Sequence, residues 1–268
     1  SARTIRDVRP NDLAQGLFGL DRIISLFSPV LLLILWEFLV RAGLLDDRVF
    51  PAPASIIGTF MRLTLSGQLP RDVGDTMGRV ALGFSMGAVP GLLLGLVMGL
   101  SRVTRSFFKP IIAALYPIPK IAILPLIILI FGLGEMSKYV TVASGVIFVV
   151  SINTMGGVMN IDRIYIDVGR NFRADRLQFY RTVALPGALP AIFTGLQLSL
   201  GIALMTAIAT EFVAAKSGIG YLIWNSWQTF SVEEMYCGLV VIAALGFMMQ
   251  LLLDLLQRWV IPWKPELH

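Results

Sequence analysis

The sequence predicts an all-α membrane protein with six transmembrane helices and a cytoplasmic two-helix loop. Three observations carry that prediction. The 268 residues are 56% hydrophobic and only 15% charged, whereas soluble domains run about 45–50% apolar and about 25% charged. Folding removes only about three quarters of a chain's surface from water, so a soluble domain of this composition would leave too much apolar surface wet. The apolar residues also fall in stretches of about 20, the length a helix needs to cross the hydrocarbon core. Finally, the stretches lack the alternating pattern of barrel strands. Lipid offers the backbone no hydrogen-bond partner, so continuous apolar stretches must be helices.

Composition excludes several classes. The one cysteine, Cys237, permits no intrachain disulfide. The one histidine, His268, leaves no histidine zinc site and no Ser-His pair. A net charge of +5 is spread between apolar stretches rather than gathered in one patch, which argues against a nucleic-acid partner.

In chain order, residues 1–22 read as a cytoplasmic N-terminal segment and 23–268 as one transmembrane domain. The expected spans are 23–40, 77–100, 110–131, 139–158, 190–215 and 236–259. The first is too long for a signal-peptide core and lacks a cleavage site, so it is expected to stay. With both termini in the cytoplasm, fourteen lysines and arginines fall inside, and Lys120 lies within a span. Seven fall outside: Arg41, Arg48, Arg62, Arg71, Arg79, Lys138 and Lys216. The excess favours that orientation. The outer segment 41–76 is expected to carry a short surface helix starting at Pro53-Ala54-Ser55.

Glycines recur at Gly83, Gly87, Gly91, Gly95 and Gly99 in the second span. They share one helix face and predict close helix packing, with a sliding surface as the alternative. The third span holds Pro110, Pro117, Pro119 and Pro125, which predicts either a curve or a break beside a cavity. Lys120 and Glu211 are the deepest ionisable residues, and each should face the bundle interior or reach an interface. Glu37 in the first span is expected to reach toward the interface. Tyr116, Lys120, Met205 and Glu211 are the candidate lining of a translocation path. Trp224, Trp227, Trp259 and Trp263 read as interfacial anchors.

The loop 159–189 is the longest polar interruption. Ile161, Ile164, Tyr165, Val168 and Phe172 make an apolar stripe at helical spacing. Asp175 is placed to cap a second short helix, carrying Phe179 and Val183. Leu185-Pro186-Gly187 is expected to stop that helix and turn the chain back.

This loop resembles the cytoplasmic EAA loop of bacterial ABC importer permeases. The Glu-Ala-Ala triplet falls on Asp167-Val168-Gly169, and the terminal Ile-x-Leu-Pro falls on Val183 through Leu185-Pro186. Arg173 stands at the position of the family's glycine. Phe50-Pro51-Ala52-Pro53 and Gly83-Phe84 resemble family motifs. Four further segments resemble the sulfonate/nitrate/taurine branch: Tyr116 to Pro125, Phe131 to Glu135, Ala188 to Ile192, and Thr210-Glu211-Phe212 through Gly220.

The resemblance implies a type I importer fold in a bacterial inner membrane. It implies that Asp167, Val168, Gly169, Arg170, Arg173, Ala174, Asp175, Leu185 and Pro186 couple the chain to an ATPase. The implied partners are a second permease copy, two cytoplasmic ATP-binding subunits and an extracytoplasmic binding protein. The implied cargo is a small anion such as a sulfonate, taurine, nitrate or bicarbonate. The chain has no P-loop, so ATP and magnesium belong to the partner and the permease itself is non-catalytic. The alternative is an ion-coupled secondary transporter or channel, which often shows inverted repeats. Residues 1–134 and 135–268 show no such repeat.

Overall fold

A computed structural model describes residues 27–262 except 163, 165, 166, 168, 170, 173 and 174. It divides into two compact units, Ser1–Arg62 and Leu63–His268. The described residues are helical throughout, joined by short turns.

In the first unit, residues 27–41 form α1. Helix α2, Pro53–Leu65, begins with proline at its first position, where the missing N–H is no loss. Glu37 supplies its acceptor from an earlier helix. The Ala54 amide donates to Glu37 Oε2 at 3.0 Å, and Arg41 Nε donates to Oε1 at 2.6 Å. Glu37 thus holds the start of α2 and pairs with the exposed Arg41.

The second unit is built on α3, Gln68–Leu100; α6, Glu135–Met159; and α7, Leu185–Ala214. Each is longer than the span expected in its place: α3 and α6 begin earlier, in the polar stretches at Gln68 and Glu135, and α7 begins at Leu185. All five ladder glycines of α3 face α6. A methyl group at Gly83, Gly95 or Gly99 would lie within 2.6 Å of Val142, Thr154 or Val158 Cβ. At Gly87 and Gly91 it would meet the carbonyl oxygens of Ala143 and Ile147. Backbone-to-backbone approach of this kind is what small residues permit. Helices α6 and α7 close in the same way at Gly157 and Gly195. Leu96, Val158, Ala188 and Ile192 join the three helices in one core, with Ile161 and Leu185 packed against it.

The third expected span is not one helix. Helix α4, Arg102–Leu115, is capped by Ser101, whose Oγ accepts from the Thr104 amide at 3.2 Å. A 3-10 turn, Lys120–Ile123, and α5, Leu124–Phe131, follow at an 89° bend. Two prolines, Pro117 and Pro119, remove consecutive chances for an intrahelical bond.

After α6, residues 164, 167, 169 and 171 are helical. Asp175 then caps the next turn reciprocally. The Gln178 amide donates to Asp175 Oδ1 at 2.7 Å, and the Asp175 amide donates to Gln178 Oε1 at 3.2 Å. A turn of α-helix, Arg176–Phe179, runs through a π turn, Tyr180–Ala184, directly into α7. Leu185-Pro186-Gly187 therefore does not stop the helix. Pro186 falls in the first turn of α7, and the wider π turn before it accommodates the ring.

Helix α8, Ile219–Gln228, packs on α9, Val232–Val260, where Gly238 meets the Ile223 side chain. Helix α9 leaves Phe247, Met248, Leu252 and Trp259 exposed, an apolar surface suited to lipid. Helices α3, α6, α9 and Arg181–Ala214 are long and apolar enough to cross a membrane, and the bent pair α4–α5 makes a fifth such element.

Candidate functional site

The break between α4 and α5 opens a cleft of about 370 Å³. One wall is the broken segment, Tyr116 to Ile121, and the other is Gly145 of α6 with Ile202, Met205, Thr206 and Ala209 of α7. Three of the four expected path residues, Tyr116, Lys120 and Met205, meet here. Thr206, Ile202 and Ala209 carried no mark in the sequence. The signal was their spacing with Met205, which places all four on one helix face.

Lys120 is the cation of this cleft. Its Nζ donates to the Leu115 carbonyl at 3.1 Å and the Tyr116 carbonyl at 3.3 Å. These carbonyls end α4; Pro119 has no N–H to continue the helical bond to the first, which accepts from the Ile118 amide at 3.3 Å as well. A cation at a helix C-terminus is favoured by the helix dipole as well. The ammonium also lies 4.8 Å from the Phe148 ring centroid, within cation–π range.

Glu211, the fourth expected residue, is elsewhere. It is fully buried and belongs to a charge network. Arg79 Nη1 donates to Glu211 Oε1 at 2.8 Å. Arg79 Nε and Nη2 grip the two oxygens of Glu135 at 2.8 and 3.0 Å. Lys138 Nζ donates to Glu135 Oε1 at 2.8 Å. Two cations and two carboxylates thus balance. Thr76 Oγ1 donates to Glu211 at 2.9 Å and accepts from the Ile219 amide at 2.9 Å.

The network clasps the turn between α7 and α8. Arg79 Nη1 donates to the Ser217 carbonyl at 2.7 Å. The Gly218 amide donates to Asp72 Oδ1 at 2.8 Å, and the Gly220 amide to Glu211 Oε2 at 2.7 Å. Gly218 has φ +109°, and a Cβ there would sit 2.6 Å from both Arg79 Nη1 and the Glu211 carboxyl carbon. Only glycine fits. Arg79 and Lys138 were expected in the outer polar segments. They are instead buried in α3 and α6, Arg79 against Glu135 of α6 and Glu211 of α7, and Lys138 against Glu135 one turn earlier in its own helix. Asp72, Thr76 and Arg79 sit at i, i+4 and i+7, the spacing that could have revealed this polar face.

In the loop, Gly169 is buried against Phe179 and Val183, and Asp167 and Asp175 are exposed. Leu185 packs inward and Pro186 is half-buried. Val168, Arg170, Arg173 and Ala174 lie outside the described residues, as do Trp263 and the start of the first span. Ile164 and Phe172 expose their side chains. Trp224 stacks on Phe212 with ring centroids 5.8 Å apart, and Trp227 lies beside it at 5.0 Å.

Comparison with known proteins agrees with this architecture. The chain is 34% identical over 240 residues to a Bacillus subtilis (strain 168) protein named as an aliphatic sulfonates transport permease, SsuC, covering 90% of this chain and 87% of that one. It is 29% identical over 250 residues to the taurine transport system permease protein TauC of Escherichia coli (strain K12), covering 91% of each. It is 29% identical over 266 residues to the bicarbonate transport system permease protein CmpB of Synechococcus elongatus, covering 94% of this chain and 95% of that one. Among solved structures, an inward-facing chain of the MetNI methionine ABC transporter matches with TM-score 0.67 and 21% identity. That match covers 74% of this chain and 98% of the other, and it supports the fold. The family described as the binding-protein-dependent transport system inner membrane component matches residues 91–264, and the chain belongs to that family.

Proposed function

We infer that this chain is the membrane-spanning permease subunit of an ATP-driven, binding-protein-dependent importer for a small anion. Family membership over residues 91–264 carries the reading. The cation-bearing cleft at the broken span supports the anionic cargo, because Lys120 is the charged group that faces it. The relatives' names point the same way, to sulfonates, taurine and bicarbonate.

In this reading the permease pairs with a second copy, and two cytoplasmic subunits bind ATP and magnesium. The chain crosses a bacterial inner membrane six times with both termini inside, so that α1 completes the set of spans. A binding protein delivers cargo from outside. The 163–186 segment seats in a groove of each ATPase and transmits its closure to the bundle as a rigid contact. Gly169 and Asp175 order that segment, and Asp167, Val168, Arg170, Arg173 and Ala174 form the coupling surface with Leu185 and Pro186. Tyr116, Lys120 and Met205 line the path.

The test is reconstitution in liposomes with the neighbouring ATPase and binding protein. Loaded binding protein should stimulate ATP hydrolysis and drive ATP-dependent uptake of a sulfonate, taurine, nitrate or bicarbonate. Uptake of an anion without ATP, driven by an ion gradient, would overturn the reading in favour of a secondary transporter.

A further inference from the structure

A second cavity adjoins the cleft. It measures about 190 Å³ and is lined by Met98 of α3, Ile112, Ala113 and Tyr116 at the end of α4, and Ile152 and Met155 of α6. The stem of Lys109 borders it. Tyr116 lines both cavities. The cleft offers a cation and the Thr206 hydroxyl; the second cavity offers mainly apolar side chains.

We propose that the two cavities form one subsite for an organic anion with an apolar tail, with Lys120 holding the charged head and the Met98–Ile112–Ile152–Met155 pocket selecting the tail. The inference rests on the importer reading and narrows its cargo. An ammonium has three donors, and Lys120 commits two to the Leu115 and Tyr116 carbonyls. The third serves an anion oxygen in the cleft, with Thr206 as a neutral donor. Neither lining contains an aspartate or glutamate. A zwitterion such as taurine would bring an ammonium with no carboxylate to meet it, at a desolvation cost. A bare inorganic anion would leave the apolar pocket unused. An apolar cavity of about 150 Å³ already accommodates benzene, so this pocket takes a phenyl group or a short alkyl chain. The pocket gives the permease selectivity of its own, beyond that of the binding protein.

The experiment uses the purified permease–ATPase complex and radiolabelled hexanesulfonate, displaced by unlabelled hexanesulfonate, methanesulfonate, taurine or nitrate. Hexanesulfonate should compete about tenfold or more better than methanesulfonate, the effect of burying roughly two or more methylenes. Ala113→Phe should fill the pocket and collapse that ratio toward one. Ile152→Ala should enlarge it and shift preference from hexanesulfonate toward a naphthalenesulfonate. Ratios within one preparation do not depend on how much protein folds, and Ile152→Ala carries the test should Ala113→Phe yield no complex. Equal competition by all four anions overturns the subsite, as does a ratio unchanged in Ile152→Ala, or no binding to the wild-type complex. In each of those cases ATP-dependent uptake in liposomes still stands as the separate test of the importer reading.

Discussion

Arg79 shows how a single residue acquires meaning only in three dimensions. In sequence it is one more cation near the end of a span. In the fold it is buried and bonded to Glu135, Glu211 and Ser217. Buried pairs of this kind contribute little over an apolar replacement of the whole set, but removing one partner strands the others. Arg79→Met leaves the buried Glu211 carboxylate facing Thr76 and the Gly220 amide alone. Thermal unfolding in detergent should show a loss of about 3–5 kcal/mol. Lys138→Met should cost about 1 kcal/mol or less, because Glu135 keeps both Arg79 bonds and is half-exposed. Equal losses in the two variants would mean that the network is not centred on Arg79. The partners that make Arg79 a hub lie 56 and 132 positions away in the chain, and no local pattern reports such distances.

Elements were more legible where their cause is local. The glycine ladder of α3 needs only helical spacing to be read as a close-packing face. The proline cluster signalled a disturbance at 110–125, but not whether it would curve or break the helix. At the 89° bend Lys120 donates to two carbonyls at the end of α4, a partnership that spacing alone does not show. Leu185-Pro186-Gly187 fails to stop the helix for a related reason. A proline stops a helix only when the preceding turn cannot widen, and here a π turn widens it. The ladder makes a sharp contrast testable within one helix. At Gly87 a side chain would meet the Ala143 carbonyl oxygen, which cannot move without α6. Gly87→Val should cost about 3 kcal/mol or more in detergent unfolding. At Gly78 a side chain meets nothing within 4 Å. Gly78→Ala should stabilise by roughly 0.5–1 kcal/mol through helix propensity alone. If both substitutions are tolerated alike, the helices are not held by backbone approach.

At the scale of the whole molecule, the proposed coupling requires a loop that can pass motion from an ATPase to a bundle held together by such contacts. The apolar stripe of the 159–189 loop divides into two roles. Ile161 and Leu185 pack on the Leu96–Val158–Ala188–Ile192 core, so they tie the loop to the three packed helices. Phe172 is 82% exposed and has no such tie. A large exposed aromatic in a polar loop is suited to a partner's groove. Sequence periodicity grouped Ile161 with Phe172 in one stripe, because it reports a face and not what covers it. Phe172→Ser should leave the unfolding midpoint of the isolated permease within about 0.5 kcal/mol of wild type. It should weaken co-purification with the ATPase about tenfold or more, the effect of losing one buried aromatic. Leu185→Ser should do the reverse in order of severity: unfolding stability falls by about 2–4 kcal/mol from the opened core, and ATPase association falls with it. Should Phe172→Ser bind the ATPase normally and still couple hydrolysis to uptake, the coupling role proposed for Phe172 fails.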